Sequence, residues 1–525
     1  MNRISLNINR VFSMVFTVVF SLLLILILAK GYTNEHDNNT YNCTEFEKLR
    51  IIIAFIVFVF SAFVIFYVFN RICNRSKLIK KADKSLYSPL IILTICAFLF
   101  VFQLSCGYLL ACKPVTDVRI LNLFSADFAK NGNFDLVRTD FMDHYMIKYQ
   151  NNFAALFLLS LIYRLSYLFT GTVSIYLPTF VNAFAINASV VMSVFLTRRI
   201  FGERRAYFVL LLCLLFAPFY TYTAFYYTDS LSMPFLTGSV YLFVYAFNSD
   251  NIIKKLLLFL LCGALVFLSF KLKGSIIIIL CAVLIYAFLK LGIKEFSVLA
   301  LSFIIGVGFA FGIYTAKFQE SGILTEDLSN RYEYPYTHWV MLGLKGYGNY
   351  NKADSEYTHS FSDKELKISA NLKKIGKRIN KYKAKGFVKH LIKKSVWTWE
   401  DGTYYISHHI ENSVHKNKLH SYVLRDGEMH FVFYEYSCAF QLFLILMMII
   451  SAVKSFNRPK LDFSAFLRLV VFGAFLFFLI WETRSRYLYN FTPLFLILAV
   501  DGLFAKKTER QLPFRRFNVF SLKRQ

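Results

Sequence analysis

Apolar runs of membrane-spanning length recur along the chain and are parted by one polar stretch, residues 316–429. The runs at 12–29, 51–69, 90–110 and 175–196 contain no charged residue, and each approaches the roughly 20 residues that cross a hydrocarbon core. In lipid every backbone polar group must be paired within its own segment, so such runs form helices. The pattern predicts an all-α fold, a polytopic transmembrane helical bundle of about twelve spans with interfacial helices on the outer face and one large extracytoplasmic loop. Composition agrees: of 525 residues 57% are hydrophobic and 59 are Phe, and the mean hydropathy is +0.48. A soluble domain is excluded.

The charges set the orientation. Arg3 and Arg10 precede the first run, which is too long and lacks the small-residue cleavage site of a removable signal peptide. The N-terminus is expected inside and the run to be an anchor. Residues 34–42 then form an outer loop, and 51–69 returns to an inner cluster of Arg71, Arg75, Lys77, Lys80, Lys81 and Lys84. The run 90–110 exits, leaving 112–152 outside. If both 153–169 and 175–196 crossed, Arg198, Arg199, Arg204 and Arg205 would lie outside, against the positive-inside rule. The shorter run, 153–169, carries Arg164 in its middle and is expected to be a re-entrant or interfacial helix on the outer side. Lys254, Lys255, Lys290, Lys294, residues 454–460 and the tail 506–524 then all fall inside, with both termini cytoplasmic.

Four regions follow: a transmembrane hairpin with a basic inner loop (1–88), a transmembrane module containing the outer loop 111–152 (89–315), an extracytoplasmic region (316–430), and the last transmembrane helices with a basic tail (431–525). Most of the formal charge of +27 sits in short loops and tails, where it fixes topology, so nucleic acid is not an expected partner. The nine cysteines form no CxxC, and most lie inside apolar runs as small packing residues. Residues 364–394 are heavily basic, with Leu366, Ile368, Leu372, Ile375, Ile379, Phe387, Leu391 and Ile392 at mostly helical spacing. This predicts an outer-face basic amphipathic helix, which is either a solvated loop helix or a surface for anionic headgroups or a phosphate-bearing polymer.

Several polar residues cluster at expected outer span ends. Asp117 follows the span 90–110 by a few residues, where a carboxylate either is simply solvated or takes a proton from an acceptor hydroxyl as general base. Asp229 sits in a tight outer connection and is expected near Asp117 in a compact bundle, sharing the work of base and of metal or hydroxyl positioning. Lys273 at a span end and the turn carrying Glu482, Arg484 and Arg486 either anchor the interface or bind phosphate oxygens, which guanidinium meets bidentately.

The order of these features resembles the GT-C superfamily of integral-membrane glycosyltransferases, which includes protein O-mannosyltransferases and the aminoarabinose transferase of lipid A. Matching parts are Asp117 at the start of the first outer loop, Tyr149, Asn151 and Asn152 before the next helix, the Arg-Arg-x-Phe-Gly turn from Arg198, the Tyr-Thr-Asp turn at 227–229, Lys273 with Ser275, and Glu-x-Arg-x-Arg-Tyr at 482–487. The segment 335–343 with His338 is similar to a stretch in Gram-positive members. The resemblance implies inverting transfer of a sugar from a polyprenyl-phosphate donor to a cell-envelope glycan, teichoic acid, lipid or protein. It makes Asp117 the base or the acid that orients the acceptor, Asp229 the second acid, and Lys273, Arg484 and Arg486 phosphate contacts, with Tyr149, Asn151, Asn152, His338 and Glu482 as further substrate-binding positions. A divalent metal, Mg or Mn, would be held by Asp117 and Asp229. The expected setting is a bacterial cell membrane with the site on its outer face. The rivals are a lipid-linked oligosaccharide flippase or other transporter, and a non-catalytic envelope assembly protein. Transporters tend to show repeated halves and broken helices, and this chain has no internal repeat and nine Pro.

Overall fold

A computed structural model describes residues 2–32, 43–75, 87–139, 141–456 and 461–504. The expected outer loop 34–42, the basic loop at Lys77, Lys80, Lys81 and Lys84, part of 454–460 and the tail 506–524 lie outside the described residues. Among the described residues the fold is helical, with an isolated bridge between Cys112 and Ser413 in place of any sheet. All nine cysteines are free and all but Cys106 and Cys281 are buried.

The membrane-type helices are α1 (Asn2–Lys30), α2 (Glu45–Arg75), α3 (Tyr87–Leu109), α6 (Tyr176–Phe201), α7 (Glu203–Leu215), α8 (Met233–Phe247), α9 (Ile252–Leu272), α10 (Ile277–Lys290), α11 (Ile293–Glu320), α14 (His430–Ser455), α15 (Phe463–Ile480) and α16 (Thr492–Leu503). Between them lie α4 (Thr116–Asn131), α5 (Phe153–Thr170), α12 (Tyr336–Gly343) and α13 (Lys364–Trp399). The fraction buried is 78% for His430–Ser455 and 11% for Glu45–Cys73, so α14 is the centre of the bundle and α2 its rim. Rim residues such as Phe60, Phe98 and Phe102 are exposed, as a lipid-facing surface requires. At Gly263 and Gly306 an added Cβ would lie 2.1 Å and 1.9 Å from the carbonyl oxygens of Phe303 and Leu260. Glycine there lets α9 and α11 approach backbone to backbone, as helices in lipid do without a hydrophobic drive to associate.

The bundle has two chemically different ends. At one, Tyr207 donates to Ser88 (3.1 Å), the rings of Phe66, Phe208 and Phe504 meet, Arg205 pairs with Asp501 (3.1 Å), and Lys255 with Glu295 (3.0 Å). The cations expected on one side, Arg198 to Arg205, Lys255, Lys290 and Lys454, gather here. At the other end Tyr108 meets Tyr176 (5.4 Å between ring centroids), Cys43 donates its amide to Tyr32, and Lys273 reaches Asp229.

By length and hydropathy alone ten helices qualify as spans, the segment Gln150–Thr170 among them. Packing distinguishes that one. Its first residues touch Tyr227 and Phe318, and the turn that follows delivers Tyr176 to Tyr108, so both of its ends lie at the end of the bundle opposite the Arg198–Arg205 turn. It crosses α4, with Tyr163 on Asn122 and Arg164 donating to the Ala129 carbonyl (2.6 Å), and turns Leu161, Leu165, Leu168 and Phe169 outward. This is the packing of an interfacial helix. With it set aside, and with α7, α10 and α16 added, twelve segments run end to end among the described residues, alternate in direction, and leave the start of α1 and the end of α16 on the basic side.

The polar stretch forms a compact body on the opposite end. Its longest helix, α13, is bent at Lys383 (φ 51°, ψ 176°). The amphipathic sorting expected of it holds only in part: Ile368, Ile375, Phe387, Leu391 and Ile392 are half-buried, but Leu366, Leu372 and Ile379 are exposed, while Lys367, Asn371, His390 and Lys394 are buried. The reason is that α13 packs on chain turns that present carbonyls, not on an apolar surface. Lys367 donates to the Arg331 carbonyl, and Lys394, with no exposed surface, donates to the carbonyls of Gly343 (2.8 Å), Leu479 (3.1 Å) and Trp481 (2.7 Å). An ammonium at the C-terminus of α15 also meets the negative end of its macrodipole. Beyond it Trp399 packs edge-on to Phe20 (5.5 Å) and against Phe495 (5.7 Å), driving the end of α13 into the bundle.

Two outcomes are expected. A cysteine replacing Thr172 is modified by an impermeant thiol reagent from the same side as one replacing Asn131, and one replacing Asn251 from the other; opposite-side labelling at Thr172 and Asn131 would make α5 a span. Burial lowers Lys394 to about 7, so between pH 7 and the ordinary lysine range near 10.5 the unfolded chain holds more protons than the folded one and stability rises with pH. Lys394→Met should lower stability by about 2–4 kcal/mol through three orphaned carbonyls and abolish that rise, as read by melting at pH 6 and pH 9.

Candidate functional site

The site is built where connections converge at the end of the bundle opposite the Arg198–Arg205 turn. Thr116, a β-branched residue at φ 48°, is held in the left-handed region that such residues avoid, and it swings the chain from α3 into α4. Asp117 thereby occupies the first turn of α4, half-buried, where a carboxylate also gains from the helix N-terminus. Its partners are phenols. Tyr227 donates to it (3.3 Å) and to Asn152 (3.1 Å), Asn152 donates to the Tyr145 hydroxyl (3.4 Å), and Tyr145 is itself within hydrogen-bonding reach of Asp117.

Asp229 has a different environment. It has no exposed surface, and its carboxylate lies between Lys273 (Nζ to Oδ1, 2.5 Å) and Arg486 (Nε to Oδ2, 3.3 Å). Lys273 also sits over the Tyr487 ring (4.1 Å) and Arg486 over Tyr227 (5.1 Å) and Tyr487 (5.3 Å). Both oxygens of Asp229 thus face a cation, by a hydrogen bond at Oδ1 and by an ion pair at Oδ2, and the buried Glu482 adds a second negative charge beside Lys273 and Arg486. Asp117 and Asp229 are thus brought together as expected, with Tyr227 between them, but in unequal roles.

Arg486 makes one more contact, donating from Nη1 to His409 Nε2 (3.0 Å). His409 therefore accepts as a neutral ring; burial and the nearby Arg486 hold its pKa well below the usual imidazole range. The ring stacks on Phe225 at 4.1 Å. A strained turn places it: Tyr404 and Tyr405 both have positive φ (54° and 64°), an outlier conformation for bulky residues. Asp401 holds the turn by accepting from the amides of Thr403 and Tyr405 (2.8 Å each) and from Ser485 Oγ (2.9 Å). Tyr405 in turn lies beneath Arg484 (4.6 Å), which is only half-buried.

Glu482 is buried and accepts from the Tyr487 hydroxyl (3.1 Å), and burial raises its carboxyl above the usual range. It shapes the turn and does not pair with Arg484. Of the remaining expected positions, Tyr149 packs on Tyr145 (4.7 Å) and Tyr334 (5.2 Å), and Asn151 is exposed beside Asn152. His338 lies deeper in the polar body, bonded through Nδ1 to Thr358 (2.8 Å) and packed on Tyr334 (4.4 Å); burial lowers it to about 4. It reaches Asp117 only through that chain of tyrosine rings.

The donor set does not fit the divalent metal that the two acids suggested. Among the described residues no three His, Cys, Asp or Glu side chains are placed to share an ion, and Asp229 already faces two cations. Tyr145, His409, Asp401 and Lys394 were not singled out by the sequence reading. The run Tyr404, Tyr405, His408, His409 closing the polar stretch was the available signal for one of them.

Among solved structures, ArnT from Cupriavidus metallidurans in the apo state is 14% identical with a TM-score of 0.36, over 80% of this chain and 78% of that one. The same protein bound to undecaprenyl phosphate gives 11% and 0.34, over 78% and 77%. No curated protein matches. A family profile described as "Conserved hypothetical integral membrane protein" matches residues 4–506. The match spans nearly the whole chain, which belongs to this family of integral membrane proteins.

Proposed function

We propose that the chain is a glycosyltransferase moving a sugar from a polyprenyl-phosphate donor to a hydroxyl-bearing acceptor of the cell envelope. The observation that carries this reading is the pairing of two environments at one end of the bundle. A half-buried carboxylate that accepts from a phenol, Asp117, stands beside a fixed cluster of three cations, Lys273, Arg484 and Arg486, gathered around the buried carboxylates Asp229 and Glu482. The positive-inside rule assigns the basic end to the cytoplasm and the site to the extracytoplasmic face.

In this reading Asp117 takes the proton of the acceptor hydroxyl as its oxygen bonds to the anomeric carbon from the face opposite the phosphate, which inverts the configuration. The bond from that carbon to the phosphate oxygen breaks, and the lipid phosphate leaves with the bond electrons. Arg484, half-exposed and held on Tyr405, meets that phosphate; Lys273 and Arg486 supply a preorganised positive field behind it. The placement of ionisable groups favours this over a flippase, because they gather at a bundle end and not along a midplane path.

Asp117→Asn is expected to melt like the parent protein and to lower transfer of a radiolabelled sugar by roughly a hundredfold or more; parental turnover by that variant would falsify the assignment. Arg484→Gln should weaken apparent donor affinity about tenfold, the scale of one charge-assisted hydrogen bond, and leave acceptor affinity alone. Unchanged donor affinity would make Arg484 an interfacial anchor.

A further inference from the structure

Helix α13 carries Lys at 373, 377, 381, 385, 389 and 393, one at every fourth position, with no Asp or Glu between Glu365 and Glu400. Such spacing puts like charges about 6 Å apart along the axis, an arrangement that opposes helix formation, and each step turns them about 40° further around it, so they fan over the outer half of the helix. Lys373, Lys377, Lys381, Lys385 and Lys389 are exposed. The acid available nearby is used elsewhere: Asp354 is buried against Lys374 (3.1 Å) and Arg378 (2.6 Å) on the inner side of the helix. Among the described residues none forms an ion pair with the five exposed lysines.

Both ends of the helix that carries this row are tied to the site. At one, Lys364 pairs with Glu333 (2.8 Å), whose neighbour Tyr334 donates its amide to the Lys148 carbonyl (3.0 Å), next to the short helix that brings Tyr145 to Asp117. At the other, Lys394 and Thr398 grip the turn that carries Arg484 and Arg486, through the Trp481 carbonyl and the Thr483 hydroxyl (3.1 Å). From Lys373 to Lys389 the row covers about 24 Å of helix, bent at Lys383. The helix that carries it therefore runs from the segment next to Tyr145 to the turn that bears Arg484.

We infer that this lysine row is a docking surface for a linear polymer of phosphodiesters, which presents its hydroxyls to Asp117 as the acceptor. The inference rests on the proposed transferase reading for the word acceptor, but the binding surface does not need it. A long run of exposed cations with no acid among them complements a chain of phosphates. A headgroup-binding helix would instead bury a continuous apolar face with aromatic anchors. The exposed apolar residues of α13, Leu366, Leu372, Ile379 and Val388, are separated along it, and Tyr382 is turned inward onto His390 (5.1 Å).

The test uses the full chain in phosphatidylcholine nanodiscs, with synthetic poly(glycerol phosphate) as probe. Binding should weaken at least tenfold between 50 and 200 mM salt, as polyanion contacts do on counterion release. Replacing Lys373, Lys377, Lys381, Lys385 and Lys389 together by Gln should weaken it at least tenfold, and replacing the same five by Arg should retain it. If the Gln protein melts abnormally, the three changes Lys373→Gln, Lys377→Gln and Lys381→Gln alone should still weaken binding in proportion. Polymer affinity equal to the parent's in the Gln variants overturns the inference. So does a loss confined to binding of phosphatidylglycerol vesicles, which would make the row a headgroup contact. Polymer binding that depends on the lysines, with no sugar transfer from any lipid-phosphate donor, would leave the surface standing and remove the transferase reading.

Discussion

Asp229 is a carboxylate with no contact to solvent, and the site is arranged around that fact. Taking such a charge out of water costs several kcal/mol unless opposite charges meet it. Lys273 and Arg486 do so from two other parts of the chain, the turn after α9 and the start of the last span. The three segments cannot separate without exposing unpaired buried charge. Their mutual grip fixes Tyr227, whose ring lies under Arg486 and whose hydroxyl reaches Asp117. The same pairing that makes Asp229 structural leaves Asp117 as the acid with free capacity.

The polar body adds a second constraint from above. Lys394 collects three carbonyls from two elements, and the Glu482 and Thr483 amides bond to the carbonyls of Trp339 and Gly348. The arginine-bearing turn is therefore clamped between the bundle and the polar body, so the positions of Arg484 and Arg486 depend on both. Strain at Thr116, Tyr404 and Tyr405 sits at the edges of this clamp, and the surrounding bonds, notably those of Asp401, hold it in place.

Much of the architecture was legible because membrane insertion writes simple rules into sequence. The four arginines between 198 and 205 led to the expectation that 153–169 does not cross; its length and hydropathy qualify it as a span, and the packing of α5 on α4 favours the interfacial reading. Asp117, Asp229, Lys273 and Arg486 were legible as a cluster because each stands at an outer span end. Their division of labour was not, since it depends on which side chains face one carboxylate in three dimensions. The inner face of α13 was misread for a related reason. Periodicity assigns Lys367 and Lys394 to water, and only the carbonyls of turns far away in sequence make their burial tolerable. His409 escaped notice because a histidine in a polar loop carries no local mark of the arginine it will meet.

The claim that the Asp229, Lys273 and Arg486 cluster holds the site together is tested most directly by a double-mutant cycle on unfolding stability, using Asp229→Asn, Lys273→Met and the pair. Each single change should cost roughly 3–5 kcal/mol by leaving a buried charge unmatched. The double change should fall short of their sum by about 2 kcal/mol or more, because it removes both halves of the pair. Additive losses, or single losses within about 0.5 kcal/mol of zero, would contradict the claim and reduce Asp229 to an ordinary polar residue of the turn.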